Sequence, residues 1–303
     1  MRETLSSRRR FLGRMVRAGL LAAAPLVRPI LALARPPARP LAVAGGPDPA
    51  ALVRAAVGKL GGMERFVQPG DRVVVKPNIG WDRTPAEAAN THPAVVAEIC
   101  RLARRAGARS VRVFDRACND PRRTYERSGI RAALEALGDR AVRLEHVRDS
   151  AFAVVEIPGA LKLTRWPLYR PALAADVLVN CPVVKHHGLT GVTIAMKNLM
   201  GVMGGNRGRI HWGIDDNLVD LNLAVRSHLV VVDATRILTH NGPQGGGTEH
   251  VRQVNRVAAT TDVVAADAWG AREFGVDPLS VGHIRRGHER GLGVADLGRV
   301  PIL

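Results

Sequence analysis

The feature that most restricts this chain is a short, mainly apolar run that recurs and ends each time in a polar residue. Arg72-Val73-Val74-Val75-Lys76, Val111-Arg112-Val113-Phe114-Asp115, Asp176-Val177-Leu178-Val179-Asn180 and Leu229-Val230-Val231-Val232-Asp233 share this form. Runs so short and so rich in valine predict strands, most of them buried on both faces. Segments of helical period lie between them. Thr91-His92-Pro93 offers a cap followed by proline at the first helical position. Val95, Val96, Ile99, Leu102 and Ala103 then form one apolar stripe, and Gly107 a stop. Further helices are expected over residues 131–137, 262–274 and 281–289. This alternation predicts a single large α/β domain over residues 51–303, with a mostly parallel central sheet covered by helices. Ligands of such sheets bind beyond the carboxyl ends of the strands, where Lys76-Pro77-Asn78, Asp115, Asn180 and Asp233 stand.

The formal charge of +17 resembles a nucleic-acid signal until it is divided. Residues 1–34 hold seven arginines and one glutamate, so six of those charges belong to the leader and eleven to the rest. The remaining arginines are interspersed with acids, and aromatic residues make up only 4% of the chain. No specific nucleic-acid partner is expected from that pattern. The three cysteines, Cys100, Cys118 and Cys181, are far apart and form no Cys-x-x-Cys. A disulfide framework and an iron–sulfur cluster held by this chain alone are therefore not expected.

Ser7-Arg8-Arg9-Arg10-Phe11-Leu12 matches the twin-arginine export pattern. A weakly apolar stretch follows at residues 18–24, then Ala32-Leu33-Ala34 as an A-x-A cleavage site. Residues 1–34 read as a twin-arginine signal peptide and 35–50 as a linker rich in Pro, Gly and Ala. The twin-arginine translocase is then a transient partner, and the destination is the periplasm or beyond. No segment reaches about 18 uninterrupted apolar residues, so no permanent membrane span is expected.

The densest chemistry lies in residues 180–212. The whole chain has 39 arginines but only five lysines, and three of those, Lys76, Lys185 and Lys197, fall in motifs at strand ends. Where arginine has replaced lysine nearly everywhere, a retained lysine points to a need for a compact amine whose pKa can shift. Three chemistries use these residues. In the first, an enzyme takes a small anionic substrate: Lys76, Lys185 and Lys197 bind or activate it, His187 or His211 moves a proton, and Asn78 and Asn198 donate to an oxyanion. Gly204, Gly205, Arg209, His211, Asp233 and Gly242 are candidate ligand contacts in loops and at strand ends. In the second, a metal is drawn from Cys181, His186, His187 and His211, with Asp215 and Asp216 nearby. Adjacent histidines on a strand face opposite ways, which counts against His186 and His187 sharing one ion. In the third, the glycine-rich loops 201–208 and 242–247 form anion nests in a protein that binds without catalysis.

Lys76-Pro77-Asn78, Thr91-His92-Pro93, Lys185-His186-His187, Lys197-Asn198-Leu199-Met200-Gly201, Gly242-Pro243 and Asp262-Val263-Val264-Ala265-Ala266-Asp267 occur in this order. Over residues 70–295 the chain resembles the family catalogued as domain of unknown function 362. Many members carry a ferredoxin-like two-cluster module, so the resemblance implies a link to redox chemistry. This chain lacks the cysteine spacing of that module.

Overall fold

The computed structural model describes residues 38–303; the expected signal peptide lies outside the described residues. Eleven strands are formed among them: β1 (Leu41–Gly45), β2 (Arg72–Pro77), β3 (Ser110–Val113), β4 (Val142–Leu144), β5 (Phe152–Glu156), β6 (Arg165–Tyr169), β7 (Val177–Cys181), β8 (Val183–His187), β9 (Gly191–Thr193), β10 (Leu229–Leu238) and β11 (Val251–Thr260). The helices are α1 (Pro49–Lys59), α2 (Pro93–Arg105), α3 (Pro121–Arg127), α4 (Ile130–Glu135), α5 (Arg170–Leu173), α6 (Ala195–Asn198), α7 (Ile214–Ala224), α8 (Val263–Phe274) and α9 (Gly282–Glu289). One large sheet runs in the order β1-β11-β10-β7-β2-β3-β4. From β10 through β4 the neighbours are parallel, and β1, β11 and β10 form an antiparallel edge. β8 continues beyond β7 alongside β10 and folds back on β9 as a hairpin. The mixed α/β domain with a mostly parallel central sheet is thus present. No helix among the described residues is long and apolar enough to cross a membrane.

The valine runs are strands because both of their faces are buried. Val73, Val75, Val177, Val179, Leu229 and Val231 pack with α1, α2 and α4. Val74, Leu178, Val230 and Val232 pack on the other side with α7, α8 and α9. A period of two therefore sorts every polar residue at a strand end to one layer or the other. His92 caps α2, its Nδ1 accepting from the Ala94 amide at 3.1 Å, with Pro93 at the first helical position.

The expected linker over 35–50 is corrected. Residues 41–45 are a strand paired antiparallel with β11, and the described domain begins before residue 51. Leu41 and Ala42 are fully buried, and the Leu41 amide bonds Pro301 O at 2.9 Å, so the carboxyl-terminal segment flanks this strand. Small residues between prolines hid a strand whose burial comes from partners distant in sequence.

Two aspartates of the Asp262–Asp267 stretch fix the helices near the sheet ends. Asp262 Oδ1 accepts from the Val264 and Ala265 amides, both at 2.9 Å, and its Oδ2 from the Val294 amide at 3.0 Å. Asp267, on α8, accepts from the Ala195 amide at 2.6 Å and the Met196 amide at 3.2 Å, tying the start of α6 to α8. Asp262→Ala removes a cap and orphans the buried Val294 amide. It should lower the unfolding free energy by about 2 kcal/mol in urea denaturation, and Asp262→Asn should cost less. An unchanged midpoint for Asp262→Ala would show that the cap is not needed.

Candidate functional site

The site is built on a buried polar floor. In the parallel register of β2 and β7, Lys76 lies beside Asn180, each two residues after a side chain, Val74 or Leu178, that packs in the layer of α7–α9. Lys76 is fully buried, and its ammonium meets Asp115 Oδ1 at 2.9 Å, Pro77 O at 2.6 Å and Asn198 Oδ1 at 3.2 Å. Burial pulls its pKa down from the ordinary value while Asp115 pulls it up. The other Asp115 oxygen accepts from the Ile79 amide at 2.7 Å. Gly201 closes over this pair: a Cβ there would lie 2.8 Å from Lys76 Nζ and closer still to Asp115, so only glycine fits.

Three N–H donors and three acceptors leave Lys76 no proton for a ligand. The reading of Lys76 as a catalytic amine is corrected to a buried positioning residue. Asn198 is corrected in the same way. Its amide nitrogen donates to Lys76 O at 2.9 Å and to Asn180 Oδ1 at 2.8 Å, which uses both hydrogens. Its Oδ1 accepts from Lys76 and from Asn78 Nδ2 at 3.1 Å. No donor remains for an oxyanion. Asn78 keeps one N–H free of these bonds.

Above the floor is a cavity of about 360 Å3, lined by Asn78, Lys185, His187, Lys197, Asn198 and His211 among the expected residues. The Lys185 amine donates to Asn78 Oδ1 at 3.1 Å and Ala89 O at 2.5 Å. Burial pulls its pKa from 10.5 down to about 7. The Lys197 amine lies 3.2 Å from Met200 Sδ and 3.4 Å from His211 Nε2, and burial lowers it to about 8. The lysine ion pairs among the described residues are Lys76–Asp115 and Lys162–Asp216, so neither cavity amine has a carboxylate partner. His187 and His211 stack at 6.1 Å between centroids. His187 Nδ1 accepts from the Leu189 amide at 3.1 Å, and burial with nearby lysines lowers the ring to about 3. His211 Nδ1 meets Gly208 O at 2.9 Å, and burial lowers that ring as well. Both imidazoles are neutral at neutral pH. Arg116, Lys185, Lys197 and Arg207 line the cavity against one acid, Asp115, which Lys76 already neutralises.

The other expected contacts do not line this cavity. Asp233 follows the strand positions packed on α1 and α2, and accepts from the His92 amide at 2.7 Å and from Thr235. Gly204 donates to Pro167 O and packs against Phe152, while Gly205 O receives Arg116. Arg209 is exposed, and the Gly242 amide donates to His186 Nδ1 at 3.1 Å. The metal candidates are likewise separated. His186 faces Phe274 and His240 on the opposite side of β8 from His187. Cys181 packs in the α1/α2 layer, its thiol pushed well above the ordinary value by burial. Only His187 and His211 share the cavity, and they do not form a ligand set. Among the described residues, no group of three or more His, Cys, Asp or Glu side chains is placed to hold a metal ion.

A family model described as a domain of unknown function, DUF362, matches residues 73–272, which include every residue of the floor and all cavity-lining residues. The chain belongs to the DUF362 family. It is 30% identical over 240 residues to a thylakoid-associated protein of Synechocystis sp., covering 76% of this chain and 71% of that one. Among solved structures, the lactate racemase apoprotein from Thermoanaerobacterium thermosaccharolyticum aligns at a TM-score of 0.45 and 14% identity. That alignment covers 77% of this chain and spans just over half, 56%, of the racemase chain.

Within the DUF362 region, several lining residues were not among the expected site residues: Trp81, Arg116, Cys118 and Arg207. The signal that finds Arg116 and Cys118 is their position directly after the Asp115 strand end. The lysines themselves give a direct test. With five lysines in the chain, Cε-labelled lysine NMR should show two resonances titrating near 7 and 8. Each should vanish in Lys185→Arg or Lys197→Arg respectively. Titration of all five near the ordinary lysine value would refute the electrostatic description.

Proposed function

We propose that this protein is an enzyme acting on a small anionic substrate, with Lys185 and Lys197 transferring protons. One observation carries the reading: two buried lysine amines line one cavity without a carboxylate partner. A site that only holds an anion is served by guanidinium groups, which stay charged and grip carboxylate or phosphate in two prongs. Arg116 and Arg207 already stand at this cavity. Amines held at about 7 and about 8 add what guanidinium lacks, a neutral form that accepts a proton at working pH. The free N–H of Asn78 and the Nε2–H of His187 supply donors for negative charge that develops on the substrate. The excess of basic lining groups taken alone favours a second reading, an anion-binding protein without turnover. Export by the twin-arginine route to the periplasm or beyond belongs to the proposal and rests on residues 7–12 and 32–34.

A thermal-shift screen of small carboxylates and phosphates should identify a ligand. With a turned-over ligand in hand, Lys185→Arg and Lys197→Arg should each lower turnover by about 10²–10⁴-fold and keep most of the binding. Retained turnover in both variants removes the case for catalysis. Separately, Arg8→Lys with Arg9→Lys should hold the precursor in the cytoplasm, and unchanged export would overturn the localisation.

A further inference from the structure

The two cavity amines have different neighbours. Lys185 donates to two oxygens, which hold it in place as a donor. Lys197 has a thioether, a weak acceptor, and an imidazole nitrogen, a base. Because His211 Nδ1 carries its hydrogen toward Gly208 O, the lone pair on Nε2 faces the Lys197 amine. A nucleophile, a base within reach and a third group orienting that base is the arrangement that activates nucleophilic side chains. The 3.4 Å spacing is the looser distance found before substrate is bound. An amine needs this activation for one task that a guanidinium cannot perform, attack on a carbonyl carbon.

We propose that Lys197 is a nucleophile that forms an imine with a small 2-oxo acid, His211 carrying the protons. The inference rests on the anionic-substrate reading above and narrows it to carbonyl compounds. Lys185 and Arg207 line the same cavity and supply charge for the carboxylate, and the His187 Nε2–H and the remaining Asn78 N–H suit the carbonyl oxygen. The Lys197 ammonium first passes a proton to His211 Nε2. The freed lone pair forms the C–N bond while the carbonyl π pair moves to oxygen, which His211 protonates. A second proton moves from nitrogen to the hydroxyl, which leaves as water, and the C=N bond remains. No oxidant or reductant is consumed.

The test uses the full chain with pyruvate as probe and sodium borohydride, whose hydride reduces an imine to a stable secondary amine. Intact mass and peptide mapping should find one reduced probe per chain, on Lys197. Lys197→Arg should abolish the adduct and Lys162→Arg should leave it. His211→Asn should slow labelling about 10²-fold at neutral pH, with the gap closing in alkali as the amine loses its proton unaided. Should Lys197→Arg not fold, protection of Lys197 but not Lys59 by oxalate in the wild-type protein supports the same assignment, and equal protection or none refutes it. Equal labelling of Lys59, Lys162 and Lys197, or an adduct that persists in folded Lys197→Arg, overturns the imine. No adduct, with a rise in melting temperature on adding pyruvate, overturns the imine and leaves the anion site standing. No adduct and no rise with pyruvate or oxalate overturns both.

Discussion

The buried ion pair between Lys76 and Asp115 is the constraint on which the rest of the site depends. A charge with no exposure to water is tolerated only when its partner and its remaining donors are satisfied. Here the pair joins the ends of β2 and β3, and Asn198 extends the network to α6 and to Asn180 on β7. Removing Asp115 alone would leave a buried ammonium without its counter-charge, a loss of about 3–5 kcal/mol. The close approach of Gly201 shows how little space the network leaves. Lys76 and Asn198 spend all their hydrogens within the floor, so these two can hold position and cannot do chemistry.

Three lysines of one type are thereby divided by environment. Lys76 has a carboxylate partner and a full set of acceptors, whereas Lys185 and Lys197 are almost as deeply buried without one. Desolvation acts on all three, and only Lys76 has Asp115 beside it as an ion-pair partner. Two adjacent amines that would repel each other as ammonium groups are eased by losing protons. Lys76 is thereby fixed in the floor, while the cavity takes its permanent charge from Arg116 and Arg207 and a base from the two unpartnered amines.

The architecture was legible because valine-rich runs and capped helices carry their own signal. Thr91-His92-Pro93 opens α2, and the runs at β2, β7 and β10 sit in the parallel part of the sheet. Strand parity alone separates His186 from His187. The same parity, applied from Val231 to Asp233, would have placed Asp233 in the α1/α2 layer, away from the site. The roles of Lys76 and Asn198 were not legible, because residue type does not say which hydrogens are already spent. β1 was missed because its burial depends on β11 and on the carboxyl-terminal segment, more than two hundred residues away.

Keeping amines without partners in a cavity lined by arginine has a thermodynamic consequence. Lys185 is pulled from 10.5 to about 7 on folding, so between those values the unfolded chain binds more protons than the folded one. Its contribution therefore makes stability rise with pH across that window and fall as pH drops toward 7. An anion in the cavity supplies the missing counter-charge, raises the folded pKa and takes up a proton as it binds. Under the proposed reading, the cost of burying these amines without a counter-charge would fall when an anionic substrate binds. In the proposed reaction, proton uptake on binding would leave an ammonium next to the anion, able to return that proton. An arginine at the same position would bind the anion with no change in protonation and would have no proton to give. This is a physical reason for a chain so rich in arginine to keep its lysines at this cavity.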